Sequence, residues 1–251
     1  MLLKRDLIFT PNGKSRPLHI WLPEDYDRSE ERYPVMYFFD GHNLFSDADA
    51  TYGRSWRLAD FLRGWNKEMI VVGIECGHEG NERLVEYTPY PMRSSFLGHY
   101  DGTGHETLRF MAETLKPLID AEFRTWPHRE ATGICGSSMG GLMSLYAAVK
   151  FNHVFGKAAC VSSAVNNVMP NLLADIAACP MVQDTSIYLS VGENEGGGAN
   201  SHWVQSCERL RRELEQRGTR TRLEVQPGGR HTEADWERLI PSFMGFLWQE
   251  G

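Results

Sequence analysis

The sequence lacks a basic surplus and a long hydrophobic run. Its 251 residues carry a formal net charge of −7, whereas proteins that bind nucleic acids or anionic membranes favour a basic face. No apolar stretch approaches the length of a membrane-spanning helix. We therefore expect neither a nucleic acid nor a membrane as a partner.

A disulfide framework is also missing. The cysteines are odd in number, far apart and mostly within apolar sequence, which favours reduced, buried thiols. Residues 1–6 show no long apolar run after their basic pair, so we see no signal peptide and expect a cytoplasmic location; the alternative is a secreted protein that has lost its leader. The five cysteines are Cys76, Cys135, Cys160, Cys179 and Cys207.

The common cofactor motifs are absent as well. The sequence has no His-Glu-x-x-His, no Cys-x-x-Cys and no pair of histidines at ligand spacing on a helix. It also has no dinucleotide fingerprint and no P-loop. We expect no metal and no cofactor.

What is present is an alternation of strand-like and helix-like segments. It predicts a single α/β domain over residues 1–251, with a mostly parallel sheet covered by helices on both faces. Short alternating runs at residues 7–9 and 18–22 predict an antiparallel N-terminal edge. One final helix is expected to contain Trp236 and Leu247, with Thr232 and Asp235 at its cap. The later strand-like runs are residues 34–39, 69–74, 131–135, 157–161, 186–191 and 221–225.

Residues 76–105 interrupt this alternation. They are rich in glycine, proline, tyrosine and charge without a clear period, which predicts a functional loop on the substrate side. Its polar and aromatic side chains could bind hydroxyl groups, although ordinary loop packing is the alternative. These side chains are Asn81, Arg83, Tyr87, Tyr90, Arg93 and Tyr100. The candidate substrate-binding residues are Asn43, Arg83, Tyr87 and Trp203.

Residues 136–140 read Gly-Ser-Ser-Met-Gly, between a strand-like run and a helix-like segment. This is the context of a nucleophile elbow, in which Ser138 is the candidate nucleophile and the Met139 amide points at the group attacked. A side chain at Gly136 or Gly140 would collide with a neighbouring element. The alternative is a glycine-rich turn without chemistry, which would not need a later acid and histidine.

An acid and a histidine do follow, each after a predicted strand. A serine hydroxyl needs a base, and the imidazole needs a carboxylate to fix its tautomer. We favour Glu195 over Glu193, which still lies at the strand end, and His231 as the base. Because ligands bind beyond the carboxyl ends of parallel strands, Ser138 should meet this pair at one edge. Rival histidines for substrate contacts are His42, His78, His99, His105 and His202.

Residues 40–43 follow an early strand and read Asp-Gly-His-Asn. The second amide of an oxyanion hole commonly comes from this place, so the His42 amide is our candidate donor. Gly41 would allow a close backbone approach. The alternative is a simple turn that ends the strand.

Together these segments resemble the putative-esterase family of α/β-hydrolases, which includes esterase D, feruloyl and acetylxylan esterases and enterochelin esterases. The resemblance rests on residues 33–45, 136–141, 191–195 and 228–231 with Trp236. It implies an α/β-hydrolase fold, with Ser138 as nucleophile, Glu195 as acid and His231 as base. It also implies oxyanion amides at His42 and Met139. Many members have aspartate where Glu195 stands.

We therefore expect a serine carboxylic-ester hydrolase that works through an acyl-enzyme on a small-molecule ester. The favoured substrate is a short-chain or aromatic acyl group on a sugar or similar polar alcohol. Thioesterase or siderophore lactone hydrolase activity is the alternative, and an inactive binding protein with the α/β-hydrolase fold is an answer of another class. The pattern leaves the oligomeric state open, with a homo-oligomer among the options.

Overall fold

An eight-stranded sheet organises the chain in the computed structural model, which describes residues 1–94, 98–198 and 201–249. Its order is β1-β2-β4-β3-β7-β8-β9-β10, and β5 and β6 form a separate hairpin. The strands are β1 (Leu2–Phe9), β2 (Lys14–Trp21), β3 (Val35–Phe39), β4 (Ile70–Ile74), β5 (Met92–Ser94), β6 (Gly98–Tyr100), β7 (Thr132–Ser137), β8 (Lys157–Val161), β9 (Ser186–Gly192) and β10 (Arg220–Gln226).

The pairing directions confirm the predicted sheet. Strand β2 is antiparallel to both β1 and β4, while the other neighbours in the large sheet are parallel. The N-terminal hairpin therefore forms the antiparallel edge, and the parallel strands end together at one side. Active sites of open α/β sheets lie at that side.

Helices cover both faces of the sheet. They are α1 (Leu58–Gly64), α2 (Glu82–Glu86), α3 (Gly104–Phe110), α4 (Lys116–Glu122), α5 (Met139–Lys150), α6 (Met169–Ala178), α7 (His202–Gln216), α8 (Glu233–Glu237) and α9 (Ile240–Trp248). A π-helical turn, Met111–Leu115, joins α3 to α4. Within the described residues, none of these helices is long and apolar enough to cross a membrane.

Strand β3 shows why the central strands read as continuous apolar runs. All five of its residues are buried. Because successive side chains point to opposite faces, Tyr37 joins the core under α5 while Phe38 joins the core under α1 and α9. A strand with helices on both faces has no solvent side on which to place a polar residue.

Two segments differ from the sequence expectation. The 76–105 region contains α2 and the β5–β6 hairpin, elements too short to show a period in the sequence. The side chains of Arg93 and Tyr100 lie outside the described residues. The final helix is two helices, α8 and α9, because Pro241 in the first turn of α9 has no amide hydrogen to continue a helix from α8. The predicted cap is confirmed, since the Thr232 side chain accepts from the Asp235 amide.

Candidate active site

Ser138 stands at the turn between β7 and α5, with φ 57° and ψ −119°. A non-glycine residue in this region of backbone space costs about 1–3 kcal/mol and persists only where the surroundings hold it. Here its amide donates to the Val161 carbonyl at 2.9 Å, and its carbonyl accepts from Ala164 at 3.0 Å. A strained backbone conformation that the surrounding structure stabilises is typical of functional turns.

The glycines on either side of Ser138 are required by close contacts. A Cβ atom on Gly136 would lie 2.6 Å from the carbonyl carbon of Gly140, and one on Gly140 would lie 3.0 Å from Phe39 Cβ. Strand, turn and helix therefore pack backbone to backbone. The turn carries Ser138 to the head of α5, where the helix dipole favours negative charge.

His231 and Glu195 meet at the same edge of the sheet. Their atoms Nδ1 and Oε2 lie 2.7 Å apart. The other carboxylate oxygen, Oε1, accepts from the Ser162 hydroxyl at 2.7 Å and from the Gly192 amide at 2.9 Å. Glu195 is 5 % exposed, whereas the His231 side chain is 39 % exposed.

The hydrogen bonds to Glu195 decide its ionisation. Burial alone would raise its pKa, but the contacts with His231, Ser162 and the Gly192 amide outweigh burial and lower the pKa. The carboxylate is therefore ionised near neutral pH. An ionised acceptor at Nδ1 places the proton of a neutral imidazole there and leaves Nε2 as the basic nitrogen.

Backbone contacts between two loops bring this pair together. A Cβ atom on Gly192 would lie 2.5 Å from the Gly229 carbonyl oxygen, and the Asn194 amide donates to that oxygen at 2.9 Å. The Glu193 side chain instead accepts from the Gly228 amide at 2.9 Å. Of the two candidate acids, Glu195 contacts His231.

Two further residues lie behind the pair: Trp236, to which the sequence reasoning gave no role in the site, and Ser162, which it missed. Trp236 Nε1 donates to Ser162 Oγ at 3.0 Å, and the Trp236 ring lies edge-on to the His231 ring, with centroids 5.0 Å apart. Ser162 follows β8 directly and has φ 44°. A polar residue directly after a buried strand is the signal that could have identified it.

The loop after β3 carries His42. Asp40 has φ 55°, and the short helix Gly41–Asn43 follows it. A Cβ atom on Gly41 would lie 2.5 Å from the carbonyl carbon of Gly73, so this loop lies directly against β4. Among the described residues, neither the His42 amide nor the Met139 amide donates to a protein acceptor. Both are therefore free to bind an oxyanion.

Arg83 and Tyr87 support this loop. Arg83 Nε and Nη2 each donate to one oxygen of Asp40, both at 2.8 Å. Burial would raise the pKa of Asp40, but the Arg83 guanidinium outweighs it and lowers the pKa. The Tyr87 hydroxyl accepts from the Asp40 amide at 3.1 Å, and Tyr87 is only 2 % exposed. Tyr87 therefore lies behind the wall of the site.

A cavity of about 610 Å³ lies above these residues. Its lining includes Ser138, His231, His42 and the predicted Asn43 and Arg83. Burial lowers the pKa of the His42 ring, although the Asp40 charge acts in the opposite direction. The remaining lining is formed by Asp40, Thr51, Tyr52, Cys76, Gly77, His78, Gly80, Ser137, Thr232, Glu233 and Trp236.

The other sequence candidates lie outside that lining. Trp203 packs edge-on to His231 with ring centroids 6.4 Å apart, and it does not line the cavity. His105 contacts the Tyr146 hydroxyl at 3.2 Å. His99 and His202 are exposed residues that do not line the cavity.

The family model described as "Putative esterase" matches residues 11–247 of the chain. The chain belongs to this esterase family. It is 33% identical over 142 residues to Esterase Rv1288 of Mycobacterium tuberculosis, a match that covers 56% of this chain and 28% of that esterase. The family match and the likeness to this esterase support the prediction that the chain is an ester hydrolase.

Solved structures show the same fold. An IroE-like serine hydrolase from Shewanella oneidensis is similar with a TM-score of 0.80 and 19% identity, over 99% of this chain and 80% of that chain. Siderophore hydrolase EstA from Aspergillus nidulans is similar with a TM-score of 0.75 and 17% identity, over 98% and 95% of the two chains. The predicted α/β-hydrolase fold is confirmed.

In this esterase-family chain, the cavity is lined by a serine on a strained turn and by an imidazole that a carboxylate holds, and the amides of His42 and Met139 have no protein acceptor among the described residues. This is the set of groups that acyl transfer requires. The described hydrogen bonds include none between Ser138 and His231. That contact is commonly long before substrate binds, and both side chains line one cavity.

Proposed function

We propose that the chain is a serine carboxylic-ester hydrolase that works through an acyl-enzyme. The observation that carries the proposal is the 2.7 Å contact between His231 Nδ1 and Glu195 Oε2, on a cavity that Ser138 also lines. A buried carboxylate against a partly exposed imidazole is a costly arrangement to keep for structure alone. It is the arrangement that a general base needs.

In the first half of the reaction, Ser138 Oγ attacks the ester carbonyl and His231 Nε2 takes its proton. Glu195 stabilises the imidazolium that forms. The His42 and Met139 amides hold the negative oxygen of the tetrahedral intermediate, and the positive end of α5 adds to this stabilisation. His231 then gives the proton to the departing alcohol.

In the second half, His231 takes a proton from a water molecule, which attacks the acyl-enzyme. The second tetrahedral intermediate uses the same two amides. Its collapse releases the acid, and the proton returns from His231 to Ser138. Each proton taken by His231 is given back within the cycle, so these residues complete the reaction without another group.

For the substrate we propose a short-chain or aromatic acyl ester of a sugar or similar polar alcohol. The cavity supports this because its lining is polar, with Asn43, Thr51 and Glu233 available to hydroxyl groups. Tyr52 is 81 % exposed at the cavity and offers a ring on which a sugar or an aromatic acyl group can pack. Tyr87 has no place among these contacts.

A siderophore ester or lactone is the rival substrate. Its support is the likeness to the siderophore hydrolase EstA. A panel of acetylated and feruloylated oligosaccharides, plain alkyl esters, a thioester and a siderophore lactone separates these cases by kcat/KM. The highest value on a sugar ester supports the proposal, and the highest value on a plain alkyl ester counts against it. The highest value on the lactone favours the siderophore substrate, and the highest value on the thioester favours a thioesterase.

We also propose a cytoplasmic location. The five cysteines are free thiols and four of them are buried, which suits a reducing compartment. Fractionation of the source cells, followed by detection of the chain in each fraction, tests this location.

The test of the nucleophile is Ser138→Ala, with Ser144→Ala as the matched control. Ser144 lies on α5, donates to the Gly140 carbonyl and does not line the cavity. We expect Ser138→Ala to lower kcat on a small activated ester by at least about 10⁴-fold, and Ser144→Ala to keep it within a small factor.

A fluorophosphonate probe should label the wild type and not Ser138→Ala. Undiminished turnover in Ser138→Ala would refute the assignment, and a wild type that neither turns over nor takes the probe would indicate an inactive binding protein.

A further inference from the structure

Three soft or borderline ligand atoms meet on one wall of the cavity. They belong to His42, Cys76 and His78, and all lie within 4.8 Å of one another. His42 comes from the loop after β3, while Cys76 and His78 come from the loop after β4. Since β3 and β4 are parallel neighbours, their ends bring these loops side by side. No sequence motif reveals the group because its members come from two segments.

In both imidazoles the Nε2 atom already has an oxygen partner. His42 Nε2 lies 2.9 Å from the Thr51 hydroxyl oxygen, and His78 Nε2 lies 2.8 Å from a carboxylate oxygen of Glu75. A metal-binding histidine commonly has such an oxygen partner on its second nitrogen, which fixes the ring and its tautomer. Each ring therefore has Nδ1 left for a ligand.

His42 Nδ1 provides an independent observation that favours a ligand at this place. It is buried and has no hydrogen-bond partner among the described residues. Buried polar atoms without a partner are uncommon and ask for an explanation. The ring of His78 lies edge-on to that of His42, with centroids 4.7 Å apart, so no donor from His78 satisfies the nitrogen.

The chemistry of the donors selects the ion. One sulfur and two imidazole nitrogens suit Zn²⁺ and similar d-block ions, and they do not suit Ca²⁺ or Mg²⁺, which take oxygen ligands. In a tetrahedral zinc site the ligand atoms lie about 3.3–3.8 Å apart, so the present group must contract by about 1 Å. His78 can supply that movement because its side chain is 53 % exposed.

We propose that His42, Cys76 and His78 form a three-ligand site for one Zn²⁺-type ion, with the fourth position open to the cavity. When the ion binds, the Cys76 thiol gives its proton to the solvent and the sulfur forms the bond to the metal. Glu75 adds negative charge beside the ion, while the charge of Arg83 is balanced by Asp40.

A filled site lies within the lining that also contains Ser138 and His231. The ion would be bound by the His42 ring, and the amide of the same residue is our proposed donor to the oxyanion. We therefore expect the ion to inhibit ester hydrolysis. The expected inhibition rests on the proposed function, whereas binding of the ion does not.

The binding test uses Co²⁺ alone, followed by displacement with Zn²⁺. We expect one equivalent of Co²⁺ to give tetrahedral visible bands together with a sulfur-to-cobalt charge-transfer band. Cys76→Ser should lose the charge-transfer band, and His78→Gln should weaken binding by at least about tenfold. The matched control is His128→Gln, an exposed histidine before β7 at the opposite edge of the sheet, which should bind like the wild type.

Circular dichroism of each variant checks that it is folded. If Cys76→Ser does not fold, His78→Gln still decides the case because its side chain is largely exposed. Absence of the charge-transfer band in the wild type, or unchanged affinity in His78→Gln, overturns the site. For inhibition, the ratio of rates with and without Zn²⁺ is compared between the wild type and His78→Gln. A wild-type rate that is unchanged with the site filled overturns the inhibitory role.

Discussion

Glu195 receives hydrogen bonds on both carboxylate oxygens, and this limits what can replace it. Oε2 faces His231, while Oε1 accepts from Ser162 and the Gly192 amide. If an amide replaces the carboxylate, its NH₂ group must face either His231 or the donors from Ser162 and Gly192, and a donor then meets a donor. It also removes the charge that stabilises the imidazolium.

We predict that Glu195→Gln lowers kcat by about 10³–10⁴-fold, because the wrong tautomer of His231 is then favoured. The matched control is Glu193→Gln in the same loop, whose oxygen can still accept from the Gly228 amide. Steady-state kinetics on a small activated ester should leave Glu193→Gln within about twofold of the wild type. Equal losses in the two variants would contradict the assignment of the acid.

Arg83 acts on the cavity through Asp40. Arg83→Met leaves the Asp40 carboxylate, which is 5 % exposed, without its bidentate partner. We expect a loss of roughly 2 kcal/mol in the free energy of unfolding, below the usual cost of breaking a buried pair because Arg83 is partly exposed. Turnover should fall as well, since Asp40 begins the loop that carries His42.

Urea unfolding measures this loss, and a double variant tests its cause. Adding Asp40→Asn to Arg83→Met removes the uncompensated charge, so the double variant should be less destabilised than the sum of the two single variants. A strictly additive result would indicate that the ion pair contributes nothing of its own.

At the scale of elements, the β7–α5 turn depends on the absence of side chains. Gly136→Ala would place a Cβ atom 2.6 Å from the Gly140 carbonyl carbon. We expect it to destabilise the fold by about 1–3 kcal/mol and to lower turnover at least tenfold, because the turn that positions Ser138 must open.

The control for this prediction is Gly245→Ala in the interior of α9. Apart from its chain neighbours and the backbone of its own helix, no atom of the described residues lies within 4 Å of a Cβ built there. Alanine is the better helix residue, so this variant should be more stable by about 0.5–1 kcal/mol with unchanged kinetics. Thermal unfolding and kcat of both variants check the pair of outcomes. A Gly136→Ala variant as active and stable as the wild type would contradict the account of the turn.

At the scale of the whole molecule, the site contributes to acid sensitivity. The folded-state pKa of Glu195 lies below the ordinary value of 4.5. A carboxyl group with a lowered pKa stabilises the fold at pH values above its unfolded pKa, and that contribution is lost as the pH falls through the folded value.

The melting temperature of the wild type relative to Glu195→Gln, measured from pH 8 down to pH 3, tests this linkage. The difference should be constant near neutral pH and should shrink below about pH 4.5. The other carboxylates titrate in both proteins and therefore cancel. A difference that grows on acidification would mean that the carboxylate is held protonated.

The sequence by itself determined the sheet and the positions at which chemistry could occur. Strands buried on both faces must read as apolar runs, and the ends of parallel strands share one edge. Ser138, Glu195 and His231 could therefore be selected from their places after strands. The glycines at 136 and 140 could be interpreted in the same way, because close backbone packing admits no other residue.

Only the tertiary structure decided which side chains face one another. Arg83 and Tyr87 were both expected to contact substrate. Both hold Asp40, more than forty residues earlier in the chain, and only Arg83 also lines the cavity. The residues His42, Cys76 and His78 are likewise brought together only by the fold, because they come from two separate loops. Contacts of this kind depend on side-chain direction across neighbouring loops, and neither spacing nor residue type along one segment encodes that direction.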